Sequence, residues 1–341
     1  MAMKKFINDP NALTDELLEG LAVANGDLIS LQENHLVVNR KLDSADRVTV
    51  VSMGGSGHEP CCAGFVGEGM LDIGVIGDIF AAPGAQPCVT ALEQADRGKG
   101  VLYIVLNHAG DMLSGNMAAK MALKKGINVR KVITQEDISS EPRSNADNRR
   151  GLVGCVAVYK IAGAAAISGR SLEEVAEIAQ RTADNMATLA VAMRGATHPI
   201  TGEELATLAE DEMEIGMGQH GEGGGGRCKL KTADETADIM ADALIKDLDI
   251  KSGERVLLII NGSGATTLME QLIVYRRCVK HLNDLGIEVA ANYVGELLTT
   301  QEQAGFQMCM VRLDDELLEL WNAPCDTPYF KKIMQGGKTN D

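Results

Sequence analysis

Residues 47–60, RVTVVSMGGSGHEP, place a β-branched apolar run directly before a turn rich in glycine. The run from Arg47 to Met53 predicts a buried strand, and the glycines predict a turn that leads into a helix. In open α/β sheets, ligands bind beyond the carboxyl ends of the strands, where the free amides of a turn and a helix start favour oxygen-rich groups. His58 is therefore expected to meet a ligand. The alternative is a tight strand-to-helix connection in which His58 merely caps the helix.

The same unit, a buried strand followed by polar residues, recurs in the first half of the chain. Leu71–Ile79 and Gly100–Leu106 are predicted as strands, and the second of them is followed by polar residues at 107–111. A helix over 112–125 and a strand over 128–134 continue the alternation. Strands that alternate with helices are typical of a mostly parallel sheet.

The chain of 341 residues exceeds the size at which one hydrophobic core usually stops growing, so we expect two domains. The other predicted elements are a helix over 12–24, a long polar surface loop over 135–151, a helical stretch over 151–193 with a capping box at Ser171 and Glu174, a helix over 233–246, a strand over 255–260, a turn over 261–267, a helix over 268–283, strands over 287–294 and 306–313, and a helix over 315–321. We predict an α/β fold of two α/β domains, 1–185 and 186–335 with a tail at 336–341, each a mostly parallel or mixed sheet flanked by helices.

Two glycine-containing segments resemble phosphate-binding loops. The turn NGSGATT at 261–267 lacks the Gly-Lys-Ser/Thr ending of a Walker loop, so we interpret it first as a backbone turn. The GGKT at 336–339 is followed by two residues, which leaves no helix to hold a phosphate.

The net charge of −16 argues against nucleic acid or an anionic membrane as a partner, because both require a cationic face. The eight cysteines include no C-x-x-C pair, so neither a zinc site nor a disulfide framework is predicted. No segment has the length and apolarity of a signal peptide or a membrane span. We expect a soluble cytoplasmic protein with reduced thiols and no metal of its own.

Glu214–Arg227, EIGMGQHGEGGGGR, sets His220 between two glycine-rich arms. Glycines let a backbone approach a ligand closely, at a cost of about 0.5–1 kcal/mol for each glycine in regular structure. This cost indicates a functional loop in which His220 is the chemical group. A flexible linker beside a surface histidine is the alternative from this stretch alone.

The chain carries no G-x-S-x-G, H-E-x-x-H or kinase signature. His58, His220 and Asp111 remain, each at the end of a predicted element. A neutral imidazole is a nucleophile near pH 7 and could attack a carbonyl carbon, while a carboxylate and a second imidazole move protons. The residues by themselves support a small-molecule enzyme.

Several motifs together resemble the substrate-binding K-type subunit of dihydroxyacetone kinases, in order and along nearly the whole chain. They are GGSGHEP at 54–60, GDIFAAP at 77–83, the pair at 110–111, RRG at 149–151, EMEIGMGQHGE at 212–222, VLLIINGSGATTLMEQ at 256–271 and WNAPCDTP at 321–328.

The resemblance implies that His220 binds the ketone carbonyl of the substrate covalently, as a hemiaminal. It further implies that His58 and Asp111 bond the substrate hydroxyls and assist proton transfer, and that the backbone of Gly54 and Gly55 closes around the substrate. It implies a homodimer without a cofactor of its own. A separate L-type subunit would present the nucleotide with Mg²⁺, either as ATP or as ADP recharged by a phosphotransferase-system phosphocarrier.

This sequence departs from the family pattern beside the predicted site. The family usually has a lysine and an aromatic residue, roughly K-N-Y-x-G-D, where Leu106 and His108 stand, and a serine where Ala82 stands. Each lost polar contact can shift discrimination by about 1–3 kcal/mol. The substrate is therefore left open among dihydroxyacetone, erythrulose and another longer or branched ketose. His108 either supplies a new contact or is a solvated loop histidine, and a catalytically silent ketose-binding sensor or coactivator is the alternative function.

Overall fold

The computed structural model describes residues 5–333, so the predictions for GGKT and for the tail at 336–341 lie outside the described residues. The strands are β1 (Ile29–Gln32), β2 (Leu36–Asn39), β3 (Thr49–Ser56), β4 (Ile73–Ile79), β5 (Val101–Leu106), β6 (Val129–Thr134), β7 (Met186–Arg194), β8 (Glu212–Ile215), β9 (Gly226–Lys229), β10 (Arg255–Gly262), β11 (Glu288–Gly295), β12 (Ala304–Leu313), β13 (Cys325–Asp326) and β14 (Lys331–Lys332). The α-helices are α1 (Leu13–Ala24), α2 (Ala85–Ala95), α3 (Ala109–Lys124), α4 (Gly154–Ile167), α5 (Leu172–Asp184), α6 (Ala233–Leu248), α7 (Leu268–Asp284) and α8 (Asp315–Asn322).

The first sheet has the strand order β1-β2-β4-β3-β5-β6. Four of its six strands, β4, β3, β5 and β6, run parallel, whereas β1 and β2 pair antiparallel at one edge. The carboxyl ends of β4, β3 and β5 therefore lie side by side. The prediction that polar residues gather at one edge of a mostly parallel sheet is confirmed.

The second sheet has the order β11-β10-β12-β7-β8-β9. Only the pair β10 and β11 is parallel among its ladders, and the other four are antiparallel. The mixed α/β class is confirmed, while this sheet is mostly antiparallel. The antiparallel ladders place the β8–β9 hairpin at the sheet edge, and this hairpin carries the His220 loop.

Helix α4 lies between the two sheets and joins their cores. Its side chains pack with Leu102 and Ile104 of the first sheet and with Leu257 and Cys309 of the second in one buried cluster. A helix that is apolar on nearly all sides is stable only when it is buried on all sides, and GCVAVYKIAGAAAI is such a sequence except for Lys160, which donates to the carbonyl of Leu320. Helices α2 and α3 cover the outer face of the first sheet, and α6 and α7 cover that of the second. The first sheet ends at residue 134 and the second begins at 186; the division into two domains stays a prediction.

Two local predictions are wrong. The glycine turn after β3 leads into a buried irregular segment with a short 3₁₀ turn at Ala63–Phe65, in place of an α-helix, because this segment packs between the sheets. Residues 186–193 form strand β7 in place of helix, because pairing with β12 and β8 outweighs the helix preference of an alanine-rich sequence. The segment 135–151 is a loop, as predicted, with a 3₁₀ segment at Arg143–Asn148 and exposed residues at 142–145; its ends are partly buried, and Arg149 bonds Asp247.

The capping box at Ser171 and Glu174 is confirmed at the start of α5. The turn at 261–267 is a backbone turn, since the amides of Ser263 and Ala265 bond the carbonyls of Gly305 and Gln303. All eight cysteines are free. Within residues 5–333, no helix has both the length and the apolarity needed to cross a membrane.

Candidate active site

A small cavity lies where the carboxyl ends of β3, β4 and β5 meet the loop between β8 and β9. Its volume is about 40 Å³, which is room for a few waters or a small polar molecule. All eight predicted site residues line it: Gly54, Gly55, His58, Ala82, Leu106, His108, Asp111 and His220. His58 and His220, which are 162 positions apart in sequence, thus meet at one site.

His58 is held by the chain that follows β11. Its Nδ1 lies 2.8 Å from the carbonyl oxygen of Thr299, and the backbone amide of Gln301 donates to the carbonyl of Gly57. The side chain of His58 is 8% exposed, and burial, followed by the charge of His220, lowers its pKa to about 3. His58 is therefore neutral in the resting protein unless a neighbouring group shares a proton with it. The amide of Gly57 donates to the Glu59 carboxylate and is not free, and the α-helix start expected here is absent between β3 and β4.

The glycines around His220 are required by close backbone packing within the hairpin. A Cβ atom on Gly224 would lie 2.0 Å from the carbonyl oxygen of Gly216, and one on Gly226 would lie 2.1 Å from that of Ile215. The buried carboxylate of Glu214 accepts from the amide of Gly224 at 2.9 Å. This segment is an ordered hairpin loop, so the flexible-linker interpretation is wrong.

The hydrogen bonds of His220 define its tautomer. Its Nδ1 lies 3.3 Å from Glu222 Oε1, and its backbone amide donates to Glu222 Oε2 at 2.8 Å. Burial acts to raise the pKa of Glu222, but the hydrogen bond and charge interaction with His220 outweigh it and lower this pKa to about 2. An ionised carboxylate can only accept, so Nδ1 of His220 carries the proton. The Nε2 atom then presents a lone pair.

The two imidazoles meet through Nε2 atoms 3.1 Å apart. The carbonyl of Thr299 can only accept, so Nδ1 of His58 is also a donor and its Nε2 also presents a lone pair. Two lone pairs at this distance form a hydrogen bond when the pair binds one additional proton. The two nitrogens are therefore placed to pass a proton between a potential nucleophile and a potential acid.

Asp111 supplies the carboxyl group of the site from the first turn of α3. Its Oδ1 is buried and has no hydrogen-bond partner among the described residues. Burial raises the pKa of Asp111 to about 6, although the charge of His220 acts in the opposite direction. A buried acceptor without a partner costs free energy, and a ligand hydroxyl in the cavity would remove that cost. Ala82 and Leu106 beside it offer apolar contact only.

His108 lies against His220, with ring centroids 5.5 Å apart at an angle of 74°. Its Nε2 lies 2.8 Å from the carbonyl oxygen of Gly151, which makes Nε2 a donor and leaves Nδ1 as an acceptor. Burial and the charge of His220 lower the pKa of His108, so the ring is neutral. His108 is half-buried and oriented by a bond, so the solvated-loop alternative is wrong.

Several residues that shape the site were not predicted from the sequence. Phe80 packs its ring 5.2 Å from His58 and 5.7 Å from His220, with its backbone at a φ of 56°. Its position within the motif GDIFAAP was the available signal. Glu222 was quoted within the His220 motif without a role, and no local pattern identifies Thr299. Further cavity-lining residues are Met53, Cys61, Cys62, Ala81, Gln219 and Leu298.

His108, His220 and Glu222 each offer a donor atom within 4.8 Å of the others and could hold a metal ion in principle. Each of these side chains already makes a hydrogen bond or ion pair, and the Arg150 guanidinium lies 3.8 Å from Glu222. A cation beside the carboxylate disfavours a second positive ion. The geometry fits organic acid–base chemistry better than metal binding.

The fold and the cavity define a protein with a small cavity between two sheets, lined by three imidazoles and a carboxyl group. Residues 19–329 match the model of the Dak1 domain, and the chain belongs to the Dak1 family. This confirms the family inferred from the motifs.

Three similar proteins illustrate the family. A protein of Listeria innocua named PTS-dependent dihydroxyacetone kinase 2, dihydroxyacetone-binding subunit DhaK, is 38% identical over 96% of this chain and 99% of its own length. The L-erythrulose kinase of Pectobacterium atrosepticum is 36% identical over 97% of this chain, which spans 56% of that enzyme. The solved structure of the dihydroxyacetone kinase operon co-activator Dha-DhaQ superposes with a TM-score of 0.87 at 30% identity, covering 93% of this chain and 98% of that one.

Proposed function

We propose that this protein is the substrate-binding subunit of a short-chain ketose kinase, and that His220 binds the ketone carbonyl covalently as a hemiaminal. The observation that carries the proposal is the orientation of His220. Its Nδ1 is bonded to ionised Glu222, and its Nε2 faces the cavity and His58 at 3.1 Å. This is the tautomer that a nucleophilic imidazole requires.

The capture step uses the contact between His58 and His220. Nε2 of His220 bonds to the carbonyl carbon, the carbonyl π bond breaks, and the oxygen takes up a proton from solvent through Nε2 of His58. His58 ends the step in the neutral state that its burial favours, since its pKa is lowered to about 3. The positive charge left on the His220 ring is paired with Glu222. Attack and proton delivery thus occur between groups already in contact.

Covalent capture accounts for selectivity. A hydrogen-bonding pocket rejects glycerol poorly, because glycerol carries the same terminal hydroxyls as dihydroxyacetone; a bond to the carbonyl carbon requires the one group that glycerol lacks. The partnerless Oδ1 of Asp111 is placed to accept from a terminal hydroxyl of the ketose. Asp111 or His58 would then remove the proton of the hydroxyl that receives the phosphoryl group. The backbone of Gly54 and Gly55 closes the cavity.

The changed residues extend the proposed substrate class to erythrulose and other longer or branched ketoses. Leu106 and Ala82 remove polar contacts, whereas His108 adds an acceptor, Nδ1, at a different place in the wall. Relatives 34–36% identical to this chain are named erythrulose kinases, which supports this range.

The phosphoryl donor is proposed to come from a separate L-type subunit that carries ATP, or ADP recharged by a phosphotransferase-system phosphocarrier, with Mg²⁺. The Listeria relative named PTS-dependent supports the second source. The amides of the turn at 261–267 are used in internal hydrogen bonds, so this turn does not hold the nucleotide. The side chain of His220 is 29% exposed, so a phosphoryl donor on another subunit can reach the site from outside. We place the complex in the cytoplasm and expect a homodimer of this chain.

A second candidate function is a catalytically silent ketose sensor that acts as a coactivator. It is favoured by the structural likeness to the co-activator Dha-DhaQ. Capture of the ketose by His220 is common to both functions, so only phosphoryl transfer distinguishes them.

The test of capture is ¹³C NMR of the protein with ketoses labelled at the carbonyl carbon. We expect the carbonyl signal to be replaced in part by a tetrahedral carbon signal for at least one of dihydroxyacetone and erythrulose. His220→Ala should abolish this signal, whereas His281→Ala, a histidine paired with Asp242 outside the cavity, should retain it. A wild type that forms no adduct across the panel would contradict the proposal.

The test of transfer is reconstitution with an L-type subunit and ATP or phosphocarrier. The kinase function predicts phosphorylation of a ketose that forms the adduct. An adduct without phosphorylation, beside an active control pair, would favour the coactivator.

A further inference from the structure

The tripeptide Arg149–Gly151 bonds His108 and the loop that carries His220, although none of its residues lines the cavity. The carbonyl of Gly151 accepts from His108 at 2.8 Å. Arg149 is 1% exposed and anchors the tripeptide to α6 through two bonds to Asp247. The middle residue, Arg150, points toward the His220 loop. The segment therefore fixes His108 relative to the loop that carries His220.

Arg150 bridges two parts of the chain with a single guanidinium group. Its Nε donates to the buried carboxylate of Asp137 at 2.8 Å, and its Nη2 donates to Ser139 Oγ at 3.0 Å and to the carbonyl of Gly216 at 3.2 Å. Its Nη1 lies 3.8 Å from Glu222 Oε2. Arginine suits this role because its planar donors point in several fixed directions at once.

Glu222 depends on this support. Its side chain is 44% exposed, and its contacts are the backbone amide and ring of His220, together with Arg150. A carboxylate this exposed would exchange its weak 3.3 Å bond with His220 for water unless a second group restrained it. The packing is also close, because a Cβ atom on Gly218 would lie 2.0 Å from Arg150 Nη1 and 2.4 Å from Glu222 Oε2.

We propose that Arg150 is a positioning residue that holds Glu222 and the His220 loop so that His220 keeps its proton on Nδ1 and its lone pair on Nε2. Arg150 acts through Glu222 and touches no ketose. The inference rests on the proposed nucleophilic role of His220 for its functional meaning, while its structural content, the tautomer of His220, can be measured without any ketose.

Removing Arg150 alone would leave the carboxylate of Asp137, which is 1% exposed, without its cation, and such a loss destabilises folds strongly. The test therefore uses the double variant Asp137→Asn with Arg150→Gln, which replaces the ion pair with two neutral amides. Arg143→Gln is the matched control, because Arg143 lies in the same segment and bonds Asp247 without reaching the His220 loop. Circular dichroism and thermal melting establish that each variant is folded.

The first readout is ¹⁵N NMR of protein labelled in histidine, with the His220 signals assigned by comparison with His220→Gln. We expect wild type and Arg143→Gln to show His220 protonated at Nδ1, and the double variant to show a substantial fraction protonated at Nε2. The second readout is the concentration of labelled ketose that gives half-maximal adduct, which should rise about tenfold or more in the double variant alone.

A folded double variant that keeps the wild-type tautomer of His220 would overturn the inference. A double variant whose His220 tautomer changes while adduct formation stays the same would also overturn it. If wild type forms no adduct, the proposed function fails, and the ¹⁵N signals still decide the role of Arg150.

Discussion

Replacing Asp111 with asparagine should stabilise the folded protein at neutral pH while it impairs ketose binding. Burial raises the pKa of Asp111 from 3.8 to about 6, and Oδ1 has no partner among the described residues. Above about pH 6 the folded protein therefore carries a charge that is better solvated in the unfolded chain. Asparagine has nearly the same shape and carries no charge. Function at this position thus costs stability.

The magnitude follows from the gap between the two pKa values. At about 1.4 kcal/mol per pH unit, the difference between 3.8 and about 6 corresponds to about 3 kcal/mol as an upper bound. Water in the cavity screens part of this cost, so we expect a measured gain of about 1–2 kcal/mol. The sign depends on pH. Because the folded-state pKa is raised, the destabilisation is present above about pH 6, shrinks as pH falls, and is absent below about pH 4, where both states are protonated.

The assay is urea unfolding of wild type and Asp111→Asn at pH 4 and pH 8, with Asp27→Asn as a control at an exposed carboxylate. The variant should exceed wild type in free energy of unfolding at pH 8 and match it at pH 4. Ketose affinity, measured by the ¹³C adduct signal, should fall about tenfold or more at pH 8. Equal stabilities at pH 8 would refute the inference that Asp111 is a strained, partnerless carboxyl group.

Three further predictions concern specificity, the loop and assembly. His108→Phe keeps an aromatic ring but removes the Nδ1 acceptor, so the ratio of kcat/KM for erythrulose to that for dihydroxyacetone should fall about tenfold; an unchanged ratio would exclude His108 from substrate selection. Gly224→Ala should lower the free energy of unfolding by about 1–3 kcal/mol and weaken adduct formation, because the new Cβ would meet the carbonyl of Gly216 at 2.0 Å. Gly202→Ala is the comparison variant: a Cβ there meets open space, so it tests the effect of a φ of 74° without a steric clash. Leu272→Glu, on an α7 face where Leu268, Met269 and Leu272 are 48–68% exposed, should shift a homodimer toward monomer in light scattering, and a dimer that survives would place the interface elsewhere.

The sequence correctly predicted the site residues that follow the carboxyl ends of strands. Residues at the carboxyl ends of β3 and β5, such as His58 and Asp111, could be placed at one sheet edge because β-branched runs and glycine turns are local signals. The fold class and the family followed from motifs spread along the chain. The strand β7 was missed because its alanine-rich sequence is compatible with helix, and pairing with distant strands decides between the two.

The chemical state of the site was not accessible from the sequence. That His220 carries its proton on Nδ1 depends on Glu222, whose orientation depends on Arg150 from another segment. That His58 is neutral depends on burial and on the carbonyl of Thr299, 241 positions away.

The sequence by itself thus determined which groups are available: two glycine-flanked histidines, a carboxylate after a strand, and a chain whose motifs run in the order of one family. The tertiary structure alone decided which nitrogen is free to react, which carboxyl group lacks a partner and which loop is held rigid. The physical reason is that strand and turn formation depends on neighbours along the chain, whereas proton positions and desolvation depend on neighbours in space.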